Sequence, residues 1–183
     1  MKLRPIHSLL LLSALGLSSC QSGDKPPASA GEASELIVGK KWIVRDAGFL
    51  ESSFRENKGD PFKYTFQWFS AAKDLGPEDQ ATRDKFAKAT LALDENKTPQ
   101  DDTGNTAHLD GLNLGEKQHY YFTSTQEENA YDRTVKMYLV CEDSTGSLMK
   151  YPFTILQGNS KKILLLSPPE IHSKNLVLSL EAQ

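Results

Sequence analysis

Two cysteines, four histidines and a scatter of aspartates are the side chains of this 183-residue chain best suited to chemistry. Cys20 closes the tetrapeptide Leu17-Ser18-Ser19-Cys20 and sits after an apolar run, a thiol beside two small residues. Cys141 would need a histidine base to act as a nucleophile. It falls in phase with Val135, Met137 and Leu139, the pattern of a small buried hydrophobe rather than a reactive thiol. His7 belongs to the leader, and His108, Asp110, His119 and His172 lack the His-x-x-x-His or Glu-x-x-His spacing that aims metal ligands from one helix face. Asp94, Asp101, Asp102 and Asp110 lack the order of a calcium loop. Neither a Gly-x-Ser-x-Gly elbow nor a phosphate-cradling glycine loop is present. The spacings therefore predict no catalytic residue, no metal site and no cofactor, and the chain is expected not to be an enzyme.

The segment that positions Cys20 is an export leader. Lys2 and Arg4 form a basic start and residues 9–17 an apolar stretch, too short for the ~20 residues of a membrane-crossing helix. Leu17-Ser18-Ser19-Cys20 resembles the lipobox of bacterial lipoproteins. The resemblance implies that residues 1–19 are a lipoprotein signal peptide and that Cys20 takes a diacylglycerol before cleavage. The protein would then partner the membrane through its lipid anchor. Each buried methylene adds ~0.8 kcal/mol, so several acyl chains hold firmly where one does not. Gln21 stands where an aspartate favours inner-membrane retention in the best-known sorting system, which implies the outer membrane of the cell envelope.

Residues 20–34 comprise the acylated cysteine and a segment with no large apolar side chain, expected to be a flexible tether. Residues 35–183 are expected to form a single β-rich domain. A net charge of −3, spread without long blocks, predicts no nucleic-acid partner. With Cys20 acylated, Cys141 has no disulfide partner, so packing alone must stabilise the domain.

Past the tether the hydrophobic period is mostly two. Residues 36–44 read as a strand, and so do 62–68, where Phe62, Tyr64, Phe66 and Trp68 alternate with polar residues. Helical i, i+4, i+7 spacing of Phe62, Phe66 and Phe69 is the rival for that segment. Gly76-Pro77-Glu78-Asp79 opens a helix expected to reach about residue 88, and 90–93 is a short strand. Residues 98–117, rich in Asp, Asn, Gly and Thr, read as a long exposed loop. Five strands then follow at 119–125, 133–142, 148–156, 161–166 and 174–180, joined by turn-like links. The expected class is mainly β, an antiparallel meander closing as a barrel of about eight strands, with a helical insertion near 49–88.

Gly39-Lys40-Lys41-Trp42 at the head of the first strand, the C-terminal meander and the length make the domain similar to the lipocalin-like lipoproteins. That family usually shows Gly-x-Trp, and the extra residue here shifts the pleat by one. The resemblance implies a barrel that encloses a small hydrophobic ligand, with Trp42, Phe62, Tyr64, Phe66, Trp68, Tyr120 and Phe122 as candidate lining residues. The same aromatics would equally serve as core. The alternative is a non-catalytic interaction lipoprotein that binds an envelope protein through its loop and insertion. A cavity of a few hundred Å³ would favour the first, and a solid core beside an exposed apolar patch the second.

Overall fold

Alternating apolar and polar residues build an antiparallel sheet that curls until its two ends meet. The computed structural model describes residues 25–54, 63–95, 105–112, 114–115, 117–125 and 134–183. Within them the elements run α1 (Ala30–Ile37), β1 (Lys41–Phe54), β2 (Lys63–Trp68), α2 (Pro77–Phe86), β3 (Thr90–Leu93), β4 (Ala107–Asp110), β5 (Lys117–Thr125), β6 (Thr134–Glu142), β7 (Leu148–Gly158), β8 (Lys162–Leu166) and β9 (Leu176–Ala182).

The strand order is β4-β3-β1-β9-β8-β7-β6-β5, with β2 attached to β1 off that path. Apart from β2, the strands follow one another up and down, and the last returns beside the first. The remaining gap, between β5 and β4, is nearly closed. Thr106 and His119 form a single bridge, and the Tyr120 N–H donates to the Asn105 carbonyl at 3.0 Å. The Gln118 amide then substitutes for a strand neighbour, accepting from the Leu109 N–H at 2.7 Å and donating to the Leu109 carbonyl at 3.3 Å. The barrel thus has eight strands, as the meander pattern predicts. Eight is the number whose interior side chains can fill.

β1 serves two neighbours along one edge, β3 against Lys41–Ile43 and β2 against Gly48–Phe54, while β9 lines the other. Register shifts between Val44 and Asp46 and between Leu50 and Ser52 mark bulges, which bend a strand and increase its twist. At Gly48 a Cβ would lie 2.3 Å from the Gln67 carbonyl oxygen, so only glycine admits β2 this close.

The interior is one core in which Trp42, Tyr120, Phe122, Met137, Leu139 and Phe153 are fully buried. A second, smaller core lies on the outer face, because residues of opposite parity point there. Leu156, Leu164 and Val177 are buried under Leu50, Tyr64, Phe66, Trp68 and Leu166. β8 and β9 are therefore covered on both faces, which accounts for the unbroken apolar runs Ile163-Leu164-Leu165 and Leu176-Val177-Leu178.

Three elements differ from the sequence expectation. Part of the segment read as a tether is helical: α1 begins at Ala30, and the Lys25 carbonyl already accepts from the Gly158 N–H at 3.2 Å. Ser29 caps the helix, its hydroxyl accepting from the Glu32 N–H, while the Glu32 carboxylate takes the Ala28 N–H in return. Ala30, Ala33 and Ile37 are buried. Small side chains let α1 approach β5, β6 and β7 closely, so the lack of large apolar residues there reflects tight packing. Secondly, β1 spans Lys41–Phe54 rather than 36–44, so the segment expected to open the insertion at 49 is still strand. Thirdly, the expected 98–117 loop contains β4, with Ala107 and Leu109 facing inward. Other elements agree more closely with expectation: β2 is a strand, and α2 opens at Pro77 with Glu78 and Asp79 in its first turn.

Candidate functional site

The aromatic residues singled out in the sequence fall on two faces of the sheet. Trp42 lies inside the barrel under α1, its indole N–H donating to the Ile37 carbonyl at 2.9 Å. Tyr120 and Phe122 lie inside on β5, edge to face at 5.7 Å, and the Tyr120 hydroxyl donates to the Asp94 carbonyl. These three expose no more than 1 % of their surface, so no water-sized space adjoins them. Tyr64, Phe66 and Trp68 lie outside, half-buried, with neighbouring ring centroids 5.9 and 5.1 Å apart. The β1–β2 register decides this: Trp68 pairs with Gly48 and Phe66 with Leu50, residues whose pleat points away from the interior. Phe62 lies outside the described residues, as does the whole lipobox segment with Cys20. The structure therefore brings Trp42, Tyr120 and Phe122 into one packed interior and places Tyr64, Phe66 and Trp68 in a separate outer cluster.

A groove opens where β1 passes from one neighbour to the other. Between the Val44 N–H, held by the Ala89 carbonyl, and the Ala47 carbonyl, held by the Phe69 N–H, no strand among the described residues borders that edge. The space is half-open and about 400 Å³, with α2 along its side. Its floor is Val44, Ala47 and Phe86, all buried, and its rim is Arg45, Asp46, Ser70 and Arg83. The Asp46 carboxylate is occupied by the Ala47 N–H at 2.8 Å, the Ser70 N–H at 3.4 Å and the Ser70 hydroxyl, which fixes the turn after β2. Arg45 meets Glu181 through Nε at 3.3 Å, and Arg83 meets its neighbour Asp84 at 3.8 Å. No spacing rule links residues 45, 46, 70 and 83. The bulge in β1 brings them together.

The barrel end away from α1 carries the β6–β7 hairpin. Asp143 accepts from the Thr145 hydroxyl at 2.6 Å and from the Thr145 and Ser147 N–H groups, which holds its carboxyl below the usual range. This firm turn presents Leu148 and Met149, 62 % and 44 % exposed. Elsewhere, Phe49 packs edge to face on Phe69 and against His172, and Lys174 reaches over Phe49 to Asp79 of α2 at 2.8 Å.

Cys141 is buried in the barrel wall, and burial pushes its thiol up to about 11, as befits an inert side chain. His108 points outward from β4 with Nε2 3.8 Å from Asp94, and no group of three potential metal ligands assembles among the described residues. Comparison with known proteins finds no matching family model, no matching curated protein and no matching solved structure.

Proposed function

We propose that this chain is a lipid-anchored lipoprotein of the bacterial outer membrane whose barrel is a solid body that binds an envelope protein and catalyses no reaction. One observation carries the choice over a carrier of a small hydrophobic ligand. The residues expected to line a cavity, Trp42, Tyr120 and Phe122, are instead packed without space beside them, while Leu148 and Met149 stand exposed. Kinship with lipocalin-like lipoproteins belongs to the same proposal, supported by the up-and-down order of eight strands and by Trp42 beneath α1.

Lys25 lies five residue steps after Cys20, a reach of at most ~18 Å. An anchor at Cys20 would hold the α1 end of the barrel near the bilayer and turn the β6–β7 hairpin away from it. The test is a photo-crosslinking side chain at Met149 in intact cells, combined with metabolic labelling by a fatty-acid analogue. The expected outcome is acyl label on the wild type but not on Cys20→Ser. A discrete envelope-protein adduct should form from position 149 and not from Lys162 at the opposite end. An unlabelled wild type, or identical adduct patterns from both positions, overturns the proposal.

A further inference from the structure

The outer aromatic cluster has no part in the interaction reading. Tyr64, Phe66 and Trp68, with Leu50 and Leu166 beside them, form one continuous half-buried apolar patch on the outside of the barrel. Among the described residues the main contacts of β2, β8 and β9 are with their strand neighbours alone, so no helix lies over these strands. Tyr64 and Trp68 join an apolar body to a polar tip, the kind of side chain that gathers where hydrocarbon meets water.

The course of the chain supplies the occupant. The Lys25 carbonyl accepts from the Gly158 N–H at 3.2 Å. Gly158 lies two residues, about 7 Å, beyond Leu156 of the outer cluster, and it pairs with Ile163, the neighbour of Leu164. The segment that leads back to Cys20 therefore leaves the fold beside the patch, within the ~18 Å reach of the anchor. We infer that the outer cluster rests on the surface of the bilayer that holds Cys20, with its rings in the headgroup region. The inference rests on the lipid anchor proposed above. A tether alone lets the barrel turn freely about its attachment. An apolar patch this close to the anchor meets the lipid at high effective concentration, so even a weak contact fixes the side on which the barrel lies. The barrel then leans on β2, β9 and β8, and the β6–β7 hairpin, at the end opposite Lys25, stays clear of the lipid.

Fluorescence reads the patch directly, because the two tryptophans lie on opposite sides of the barrel wall, Trp42 buried within and Trp68 outside. The full chain, labelled metabolically with a fatty-acid analogue, is reconstituted in vesicles of phosphatidylethanolamine and phosphatidylglycerol, with or without bromine on the acyl chains near the headgroups. Bromine quenches an indole only at close range. Brominated vesicles should remove roughly half or more of the Trp68 emission, while Trp68→Phe, which reports Trp42 alone, keeps its intensity. Adding Tyr138→Trp to Trp68→Phe places the probe on the outer face of β6, away from the patch, and should leave it unquenched. An acylated protein whose Trp68 is quenched no more than the probe at position 138 overturns the inference and leaves the anchor standing. A chain that takes no fatty-acid label fails the anchor, and the inference with it.

Discussion

Phe122 and Phe66 are chemically identical side chains on opposite faces of one sheet, and truncating each to alanine separates interior from exterior. Phe122 is 1 % exposed and edge to face with Tyr120 at 5.7 Å, inside a nearly closed barrel whose backbone resists inward collapse. Phe122→Ala therefore loses its full transfer free energy and leaves a cavity, about 3–5 kcal/mol in all. Phe66 is half-buried between Tyr64 and Trp68 on an open face, where water fills the space left behind. Phe66→Ala should cost roughly half of the ~1.5–3 kcal/mol of a fully buried aromatic, or about 0.75–1.5 kcal/mol. Urea unfolding followed by circular dichroism measures both. With a slope of about 2 kcal/mol per molar, the midpoint should fall by about 2 M for Phe122→Ala and about 0.6 M for Phe66→Ala, with the slope unchanged. Equal shifts, or a larger one for Phe66→Ala, would refute the assignment of these residues to filled interior and outer cluster.

Two further outcomes follow from single residues. Cys141 should resist an aromatic disulfide reagent at pH 8 and react once the protein is unfolded. With its thiol raised from 9.0 to about 11 in the fold, its contribution to stability is full below pH 9 and declines as pH rises towards 11; rapid labelling of the native protein would contradict this. Gly48→Ala should destabilise by about 1–3 kcal/mol, because its Cβ would meet the Gln67 carbonyl at 2.3 Å. An unchanged melting temperature would show that β2 does not approach β1 as described.

Strands whose one face is buried and the other wet are legible as period two, which is why β2, β3 and the five strands from β5 to β9 can be located in the sequence. What local pattern does not carry is which face is inside. Tyr64, Phe66 and Trp68 alternate as cleanly as Val135, Met137 and Leu139, yet the first set lies outside the barrel and the second inside. Register with β1 makes that choice, and β1 is distant in sequence from much of what it organises. The helix α1 is hidden for another reason: its burial relies on Ala30 and Ala33, residues that composition counts as featureless. The alternation of Ala107, His108, Leu109 and Asp110 does mark β4, but four residues among polar neighbours give too short a period to stand out. The groove has no linear signature, since its residues meet through a bulge and a change of neighbour.

The pairing of β1 with β9 also constrains how the chain reaches this state. Trp42 lies opposite Ala182 and Val44 opposite Leu180, so the first strand finds its partner only after some 140 intervening residues are in place. Closing so long a loop costs entropy before any contact rewards it, which places folding among the slower, non-local β topologies. Until β9 arrives, β1 presents an unpaired edge and the Leu176–Leu180 run has nothing to cover it. Such a chain completes its barrel only when its two ends meet, so both edges stay open until the last strand is in place.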